Sequence, residues 1–193
     1  MSNFIGHLKL ETKRLLLRDY QFEDREAVQE YASDPKVVRF MPWGPNSPSQ
    51  TRAFIRLVRG WIHHRPRRKF DVAVILKSEN RLIGGCGIRV KNLDQREADL
   101  GYVFHRAYWG NGYATEVSRA LIEFGFSKLK LHRIWATCDV RNKASAAVLR
   151  KAGMKKEGLL RGNVFEKGRW RNSFLFAILE NDSRFRRRRS SDE

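Results

Sequence analysis

The order of elements along this chain predicts an α+β fold built around a mixed sheet, in one domain. Three observations carry that expectation. Apolar residues recur with a period near two in some segments and near 3.6 in others, in the order strand, two helices, three strands, helix, strand, helix, two strands. All five prolines lie at or before Pro66, so the rest of the chain is free of the residue that most often interrupts helices and strands. A length of 193 residues suits one domain able to bury a core without disulfide or metal staples. No internal repeat marks a second unit. The predicted domain covers residues 1–180, followed by a basic, disordered tail over 181–193.

Residues Leu8 to Arg18 read as a first strand, with Leu15, Leu16 and Leu17 apolar and Asp19 starting a turn. Glu23 to Ser33 reads as a helix, with Ala27, Val28 and Tyr31 on one stripe. Pro35, Pro42, Pro45 and Pro48 then punctuate a loop before a second helix, whose apolar face is Phe54, Leu57, Val58, Trp61 and Ile62. Phe70 to Leu76, Arg81 to Val90 and Ala98 to Phe104 form a three-strand meander. Gly112 to Leu129 is a long amphipathic helix, Arg133 to Val140 a strand, and Lys143 to Ala152 a short helix stopped by Gly153. Lys155 to Val164 and Arg169 to Leu179 are the last two strands, joined at Glu166-Lys167-Gly168.

Hydrophobic residues make up 41% and charged residues 31%, a soluble globular composition. The longest aliphatic stretch, Val72 to Leu76, falls far short of the roughly 20 residues a membrane span needs, and the N-terminus carries no basic-then-apolar signal pattern. Cys86 and Cys138 each sit in an apolar segment and read as buried free thiols in a reducing compartment. The cytoplasm is the expected location. Lys and Arg total 39 against 21 Asp and Glu, a net charge of +18. Arg59, Arg65, Arg67, Arg68 and Lys69 form one cluster, and Arg184 with Arg186 to Arg189 another. Such a field serves solubility. It also attracts polyanions, among them coenzyme A, RNA, ribosomes and acidic proteins, and works against a polycationic acceptor such as a polyamine.

The most informative local feature is a strand, then Trp109-Gly110-Asn111-Gly112-Tyr113-Ala114, then a helix that begins at once. Glycines there let the backbone close tightly and expose N–H groups at a helix N-terminus, where a phosphate gains from the dipole. A tight turn without a ligand fits the same residues. The chain lacks GxxxxGK[ST], which excludes a P-loop, and it lacks the three-glycine dinucleotide fingerprint of a βαβ unit.

The stretch from Gly101 through Tyr108-Trp109-Gly110-Asn111-Gly112-Tyr113-Ala114 to Glu116 resembles the coenzyme-binding motif of the GNAT superfamily of N-acetyltransferases. Asn142-Lys143-Ala144-Ser145 and Lys151-Ala152-Gly153-Met154 match downstream at the same spacing, and Glu11 to Arg18 resembles the first strand of the branch that includes ribosomal-protein N-terminal acetyltransferases (RimJ/RimL-like). The resemblance spans nearly the whole chain up to the tail. It implies a mostly antiparallel sheet of six to seven strands, helices on both faces, and a splayed central pair formed by Ala98–Phe104 and Arg133–Val140. It also implies acetyl-CoA as co-substrate. Backbone groups of Val103 and Phe104 would pair with pantetheine, amides of Trp109, Gly110, Asn111, Gly112, Tyr113 and Ala114 would take the pyrophosphate, and Asn142 and Ser145 would touch the coenzyme. One departure is Ala107, where the family often has Gln or Arg; Arg106 beside it is a candidate substitute.

Acetyl transfer to an amine needs a neutral amine, a polarised thioester carbonyl and a proton for the departing thiolate. Many relatives carry a tyrosine seven residues after the motif asparagine, where this chain has Leu149. Ser145 is the candidate acid, although Asn142 as N-cap and Ser145 as a first-turn residue explain the same spacing. Asp99 is the candidate base, or a plain salt-bridge residue. Glu116 is accounted for by the helix dipole. Trp43 in the Met41-to-Gly44 loop is the candidate acceptor contact, or a lid aromatic. His105 and His132 have no partners at metal-ligand spacing, so no metal is expected. The resulting expectation is direct attack in a ternary complex by a protein α-amine, such as that of a ribosomal protein. A small amine or amino sugar is the alternative acceptor, and a non-catalytic ribosome- or RNA-binding module is the alternative class. The chain is expected to be a monomer or homodimer.

Overall fold

A computed structural model describes residues 6–182. Eight strands form one sheet: β1 (Lys9–Glu11), β2 (Leu15–Asp19), β3 (Lys69–Leu76), β4 (Arg81–Asn92), β5 (Glu97–Phe104), β6 (Arg133–Asp139), β7 (Lys155–Glu166) and β8 (Arg169–Leu179). Four α-helices accompany them: α1 (Arg25–Ala32), α2 (Pro48–Gly60), α3 (Tyr113–Ser127) and α4 (Lys143–Lys151). The strand order is β1-β2-β3-β4-β5-β6-β8-β7. Every pairing is antiparallel except β5 with β6, which is parallel.

The expected single strand from Leu8 to Arg18 is two strands, which raises the count from six or seven to eight. Thr12 makes the break. Its amide donates to the Leu15 carbonyl at 2.9 Å, and its hydroxyl accepts from the Leu15 amide at 2.9 Å. A side chain able to bond the backbone this way competes with strand pairing and closes a turn.

Helices cover both faces, and the alternation of side chains along the strands sorts the core into two clusters. Val72 and Val74 of β3 join Ile88, Leu100, Ile134 and Phe176 beneath α3 and α4. Ala73 and Ile75 of the same strand face the other way, against Val28 and Tyr31 of α1 and Ile55 and Val58 of α2. From Phe70 to Leu76, β3 is therefore buried on both faces, as its continuous apolar run requires. α3 lies so close to the sheet that a Cβ on Gly125 would stand 2.7 Å from Ile134 Cδ1 and 2.9 Å from Ile88 Cδ1. α2 starts where Ser47 caps the Gln50 amide and the Gln50 side chain returns the bond, with Pro48 at its first position.

Part of the basic segment 59–69 is internal scaffolding. Arg67 is buried and holds Asp19 through two hydrogen bonds, at 2.5 and 3.2 Å. Arg59 donates to the Tyr20 carbonyl at 3.0 Å and lies over the Phe22 ring. Beyond the last strand, Asp182 accepts from the Leu179 amide at 2.9 Å and pairs with Lys155. The arginine cluster at 184–189 lies outside the described residues. Cys86 and Cys138 are both buried and free. Among the described residues no helix is long and apolar enough to cross a membrane.

Candidate active site

The parallel pairing of β5 with β6 lasts for only three residue pairs, Glu97 with Arg133, Ala98 with Ile134 and Asp99 with Trp135. Beyond Asp99 the two strands part, while β4 stays on β5 and β8 stays on β6. A groove of about 1490 Å³ opens through this split and is lined from both sides of the sheet. That exceeds the roughly 300–1,000 Å³ of a pocket for one small ligand and suits two substrates meeting through the gap.

On the α3 side the glycine turn has both glycines in the left-handed region, Gly110 at φ 81° and Gly112 at φ 80°. A side chain at either position is strained whatever room it finds. Glu116 braces the turn from behind: it accepts from the Thr12 hydroxyl at 2.6 Å, the Arg14 amide at 3.0 Å and Arg14 Nε at 2.8 Å. Burial pushes the Glu116 carboxyl up, and the bonds from Thr12 and Arg14 outweigh it, leaving the group below its ordinary range. Arg14 also donates to the Asn111 carbonyl at 2.9 Å and lies over the Tyr113 ring. The helix dipole alone does not account for Glu116, which ties the β1–β2 turn to the start of α3.

Four details bear on the expected coenzyme contacts. The Trp109 amide donates to the Arg106 carbonyl at 3.2 Å and is thereby engaged within the turn. The Val103 carbonyl crowds Gly84 of β4, and alternation therefore turns the backbone of Tyr102 and Phe104 toward the gap. The Phe104 carbonyl already accepts from the Trp109 indole at 2.9 Å. Arg106 pairs with Asp34 at 3.1 Å, so the side chain considered as a substitute for the one missing at Ala107 is engaged at the end of α1.

α4 delivers the candidate acid. The Asn142 side chain caps the helix by accepting from the Ser145 amide at 3.1 Å. The cap therefore uses the backbone of Ser145 and leaves its hydroxyl free for another partner. That partner is Tyr102, whose phenol lies 2.9 Å from Ser145 Oγ and 3.3 Å from the Ser145 carbonyl. Burial holds the phenol well above its ordinary pKa, opposed by the bond to Ser145. Tyr102 thus stays protonated; its phenol donates to the Ser145 carbonyl, and either hydroxyl can be the donor in the contact with Ser145 Oγ. The interior Leu149 is fully packed in the core.

On the opposite face, Asp99 lies beside Arg89, with Oδ2 3.5 Å from Nη1, and beside Lys91, with Oδ1 3.6 Å from Nζ. Arg89 in turn grips Asp71 in a bidentate pair. Burial pushes the Asp71 carboxyl above its ordinary range against the pull of Arg89. Asp99 Oδ1 is buried and has no hydrogen-bond partner among the described residues; the 3.6 Å contact to Lys91 is an ion pair too long to be a hydrogen bond. Trp43 is half-buried. It lines the groove and packs against the core beneath α1 and α2, so it serves wall and core together.

Two histidines have local partners: His105 Nδ1 accepts from the Ala107 amide at 3.2 Å, and His132 Nδ1 lies 3.0 Å from Glu180 Oε1. Among the described residues no group of three or more His, Cys, Asp or Glu is placed to hold a metal. Sequence reasoning missed Tyr102, Asp71 and Arg89. Asp71 carried a usable signal, a carboxylate inside the apolar run from Phe70 to Leu76, since such residues are rarely buried without a partner. Tyr102 carried a weaker one, because alternation set it opposite Asp99 on the same strand.

Known proteins match this architecture. A family model for the GNAT acetyltransferase domain matches residues 14–155. The uncharacterised N-acetyltransferase YnaD of Bacillus subtilis (strain 168) is 35% identical over 175 residues, covering 91% of this chain and 99% of its own. The crystal structure of a GNAT-family acetyltransferase from Bacillus anthracis is 34% identical with a TM-score of 0.81, covering 91% of this chain and 100% of that one. The spermidine N(1)-acetyltransferase of Escherichia coli (strain K12) is 25% identical over 167 residues, 85% of each chain. A split sheet, a braced glycine turn and these matches lead to one conclusion: the chain belongs to the GNAT acetyltransferase family and is an acyl-CoA-dependent N-acetyltransferase.

Proposed function

We propose that the enzyme moves an acetyl group from acetyl-CoA to the N-terminal α-amine of a protein, by direct attack in a ternary complex. The observation that carries this reading is the groove itself. It is open along the sheet, it joins the glycine turn to Asp99 through the β5–β6 split, and its acceptor half is rich in arginine. The amide groups from Gly110 to Ala114 cradle the coenzyme's pyrophosphate at the start of α3, and the gap-facing backbone beside β5 takes its pantetheine arm.

The acceptor nitrogen attacks the thioester carbonyl from the α1–α2 side. As the C–S bond breaks, the departing thiolate takes a proton from the Ser145 hydroxyl, which Tyr102 replenishes. The proton lost by the amine passes to Asp99 Oδ1, directly or through a water. An α-amine, with a pKa near 7.7–8.0, needs far less help in losing a proton than lysine, near 10.4. A single partly neutralised carboxylate is adequate for the first and poorly matched to the second.

One observation favours a small-amine acceptor, the overall similarity to a spermidine acetyltransferase. Against it stands the net charge of +18, which repels a polycation. The same charge favours an acidic or ribosomal target. Two buried free thiols fit the cytoplasm. The test is incubation of the enzyme with isotopically labelled acetyl-CoA and cell extract, followed by mass spectrometry. Label on protein N-termini is the expected result, and label confined to polyamines or amino sugars would refute it.

A further inference from the structure

Among the described residues three buried side-chain polar atoms lack a hydrogen-bond partner: Asp99 Oδ1, Trp135 Nε1 and Arg171 Nε. All three residues line the groove. They also stand on one face of three neighbouring strands, because Asp99 pairs with Trp135 across β5 and β6, and Asp139 pairs with Ser173 across β6 and β8. Orphaned buried groups are costly, and in a native fold each calls for an explanation. One acceptor and one donor beside the reaction centre, with a second donor farther on, describe the complement of an extended ligand with an amine at one end and oxygens along it.

The far donor sits in a cationic setting. Arg171 is 5% exposed, with Nη1 3.2 Å from Glu166 and 3.8 Å from Asp139. Its two terminal nitrogens also reach the Arg39 carbonyl at 3.4 Å. Arg141 holds Asp139 from the outside at 2.6 Å, and the guanidinium groups of Arg39 and Arg141 both approach the Phe40 ring, at 5.1 and 5.7 Å. Lys167 is drawn in beside them, bonded to the Val38 carbonyl at 2.6 Å. Burial, and then Arg171, lowers the Lys167 pKa. The cations Arg39, Arg141, Lys167 and Arg171 outnumber the acids Asp139 and Glu166, and the three arginines line the groove together with both acids.

We propose that Arg171, with Arg39 and Arg141, forms an anion-reading subsite that selects acceptors carrying a carboxylate side chain downstream of the reacting amine. The inference rests on the peptide-acceptor reading for its geometry. Asp139 follows Trp135 by four residues, about 13 Å at the rise of a strand, and the Arg171 guanidinium returns to the level of Asp139. An extended peptide advancing about 3.3 Å per residue from an amine at Asp99 brings its fifth residue to that level, and positions three and four approach it within the reach of a glutamate and an arginine side chain. Trp135 Nε1, next to the reaction centre, donates to a carbonyl oxygen near the peptide's start.

The test uses the full chain, acetyl-CoA and a peptide series sharing one N-terminal residue, with Glu, Ala or Lys placed singly at positions two to six. Glu at positions three to five is expected to raise kcat/KM at least tenfold over Lys at the same position, mainly through KM. The exposed Arg39→Ala variant is expected to reduce that preference severalfold, and Arg171→Met to abolish it. Arg171 is buried between two acids, so Arg39→Ala decides the matter where Arg171→Met does not fold. Equal turnover of the Glu and Lys peptides, or an Arg39→Ala enzyme with the wild-type preference, overturns the subsite. If no peptide is acetylated, the peptide-acceptor reading fails by itself. Calorimetric titration with glutarate then decides the subsite: binding weakened in Arg39→Ala supports it, and the absence of Arg39-dependent binding overturns it.

Discussion

Replacing Ser145 with alanine separates two roles that its position allows, helix-start residue and proton donor. The Asn142 cap reaches the Ser145 backbone amide at 3.1 Å, so it survives in Ser145→Ala. What disappears is the 2.9 Å contact to Tyr102, and Tyr102 keeps its 3.3 Å bond to the Ser145 carbonyl. The lost side-chain bond is worth about 1 kcal/mol of stability, or roughly 2–4 °C in Tm for a domain of this size. Loss of a proton donor at the leaving thiolate costs about 10²–10⁴ in rate. The kinetic effect should therefore dwarf the structural one. Thiol release at saturating acetyl-CoA gives kcat, and a melting curve gives the stability change. Asn142→Ala should show the complementary pattern, with about 1 kcal/mol of stability lost with the cap and its kinetic effect in the KM for acetyl-CoA. Tyr102→Phe should slow turnover less than Ser145→Ala, because the serine keeps its own proton. A Ser145→Ala enzyme with reduced Tm and a kcat within about threefold of wild type would refute the donor role, since Brønsted catalysis of even modest efficiency exceeds that.

Three further outcomes follow from the same geometry. Alanine at Gly112, which sits at φ 80°, forces a left-handed residue at a cost of about 1–2 kcal/mol; the KM for acetyl-CoA should rise about 5–30-fold, and an unchanged KM would mean that the turn does not hold the coenzyme. Asp99→Asn should lower kcat with little change in the KM for acetyl-CoA, and a normal kcat would remove Asp99 as the base. Glu116→Gln should lower Tm at pH 7, by about 1 kcal/mol of stability after allowance for partial exposure. Because the folded-state pKa of Glu116 is depressed, its contribution is present above its unfolded value near 4.3 and is lost as pH falls through the folded value. The Tm gap to wild type should close on acidification, and a gap that stays constant down to about pH 3 would contradict the bracing role.

Elements whose signals are local were legible in the sequence. The glycine turn, the amphipathic α3 that follows it and the Asn142 start of α4 are set by φ preferences, helix periodicity and capping within a few residues. The meander β3–β4–β5 was legible for the same reason, since short connections join neighbours. The first strand was misread because a hydroxyl bond at Thr12 outweighed an otherwise continuous apolar pattern.

The meeting points between distant segments were illegible. Thr12 reaches Glu116 across 104 positions, and Tyr102 reaches Ser145 across 43. Each depends on strand register and on how α3 and α4 lie on the sheet. The same holds for the groove wall formed by Asp99, Trp135 and Arg171, which come from three strands joined only by pairing. The sequence by itself determined the fold class, the family and the glycine turn at the start of α3, because those are carried by contiguous backbone conformation. Tertiary structure alone decided where β5 and β6 part and which side chains line the groove between them. Long-range pairing registers create those adjacencies, and no local propensity encodes a register.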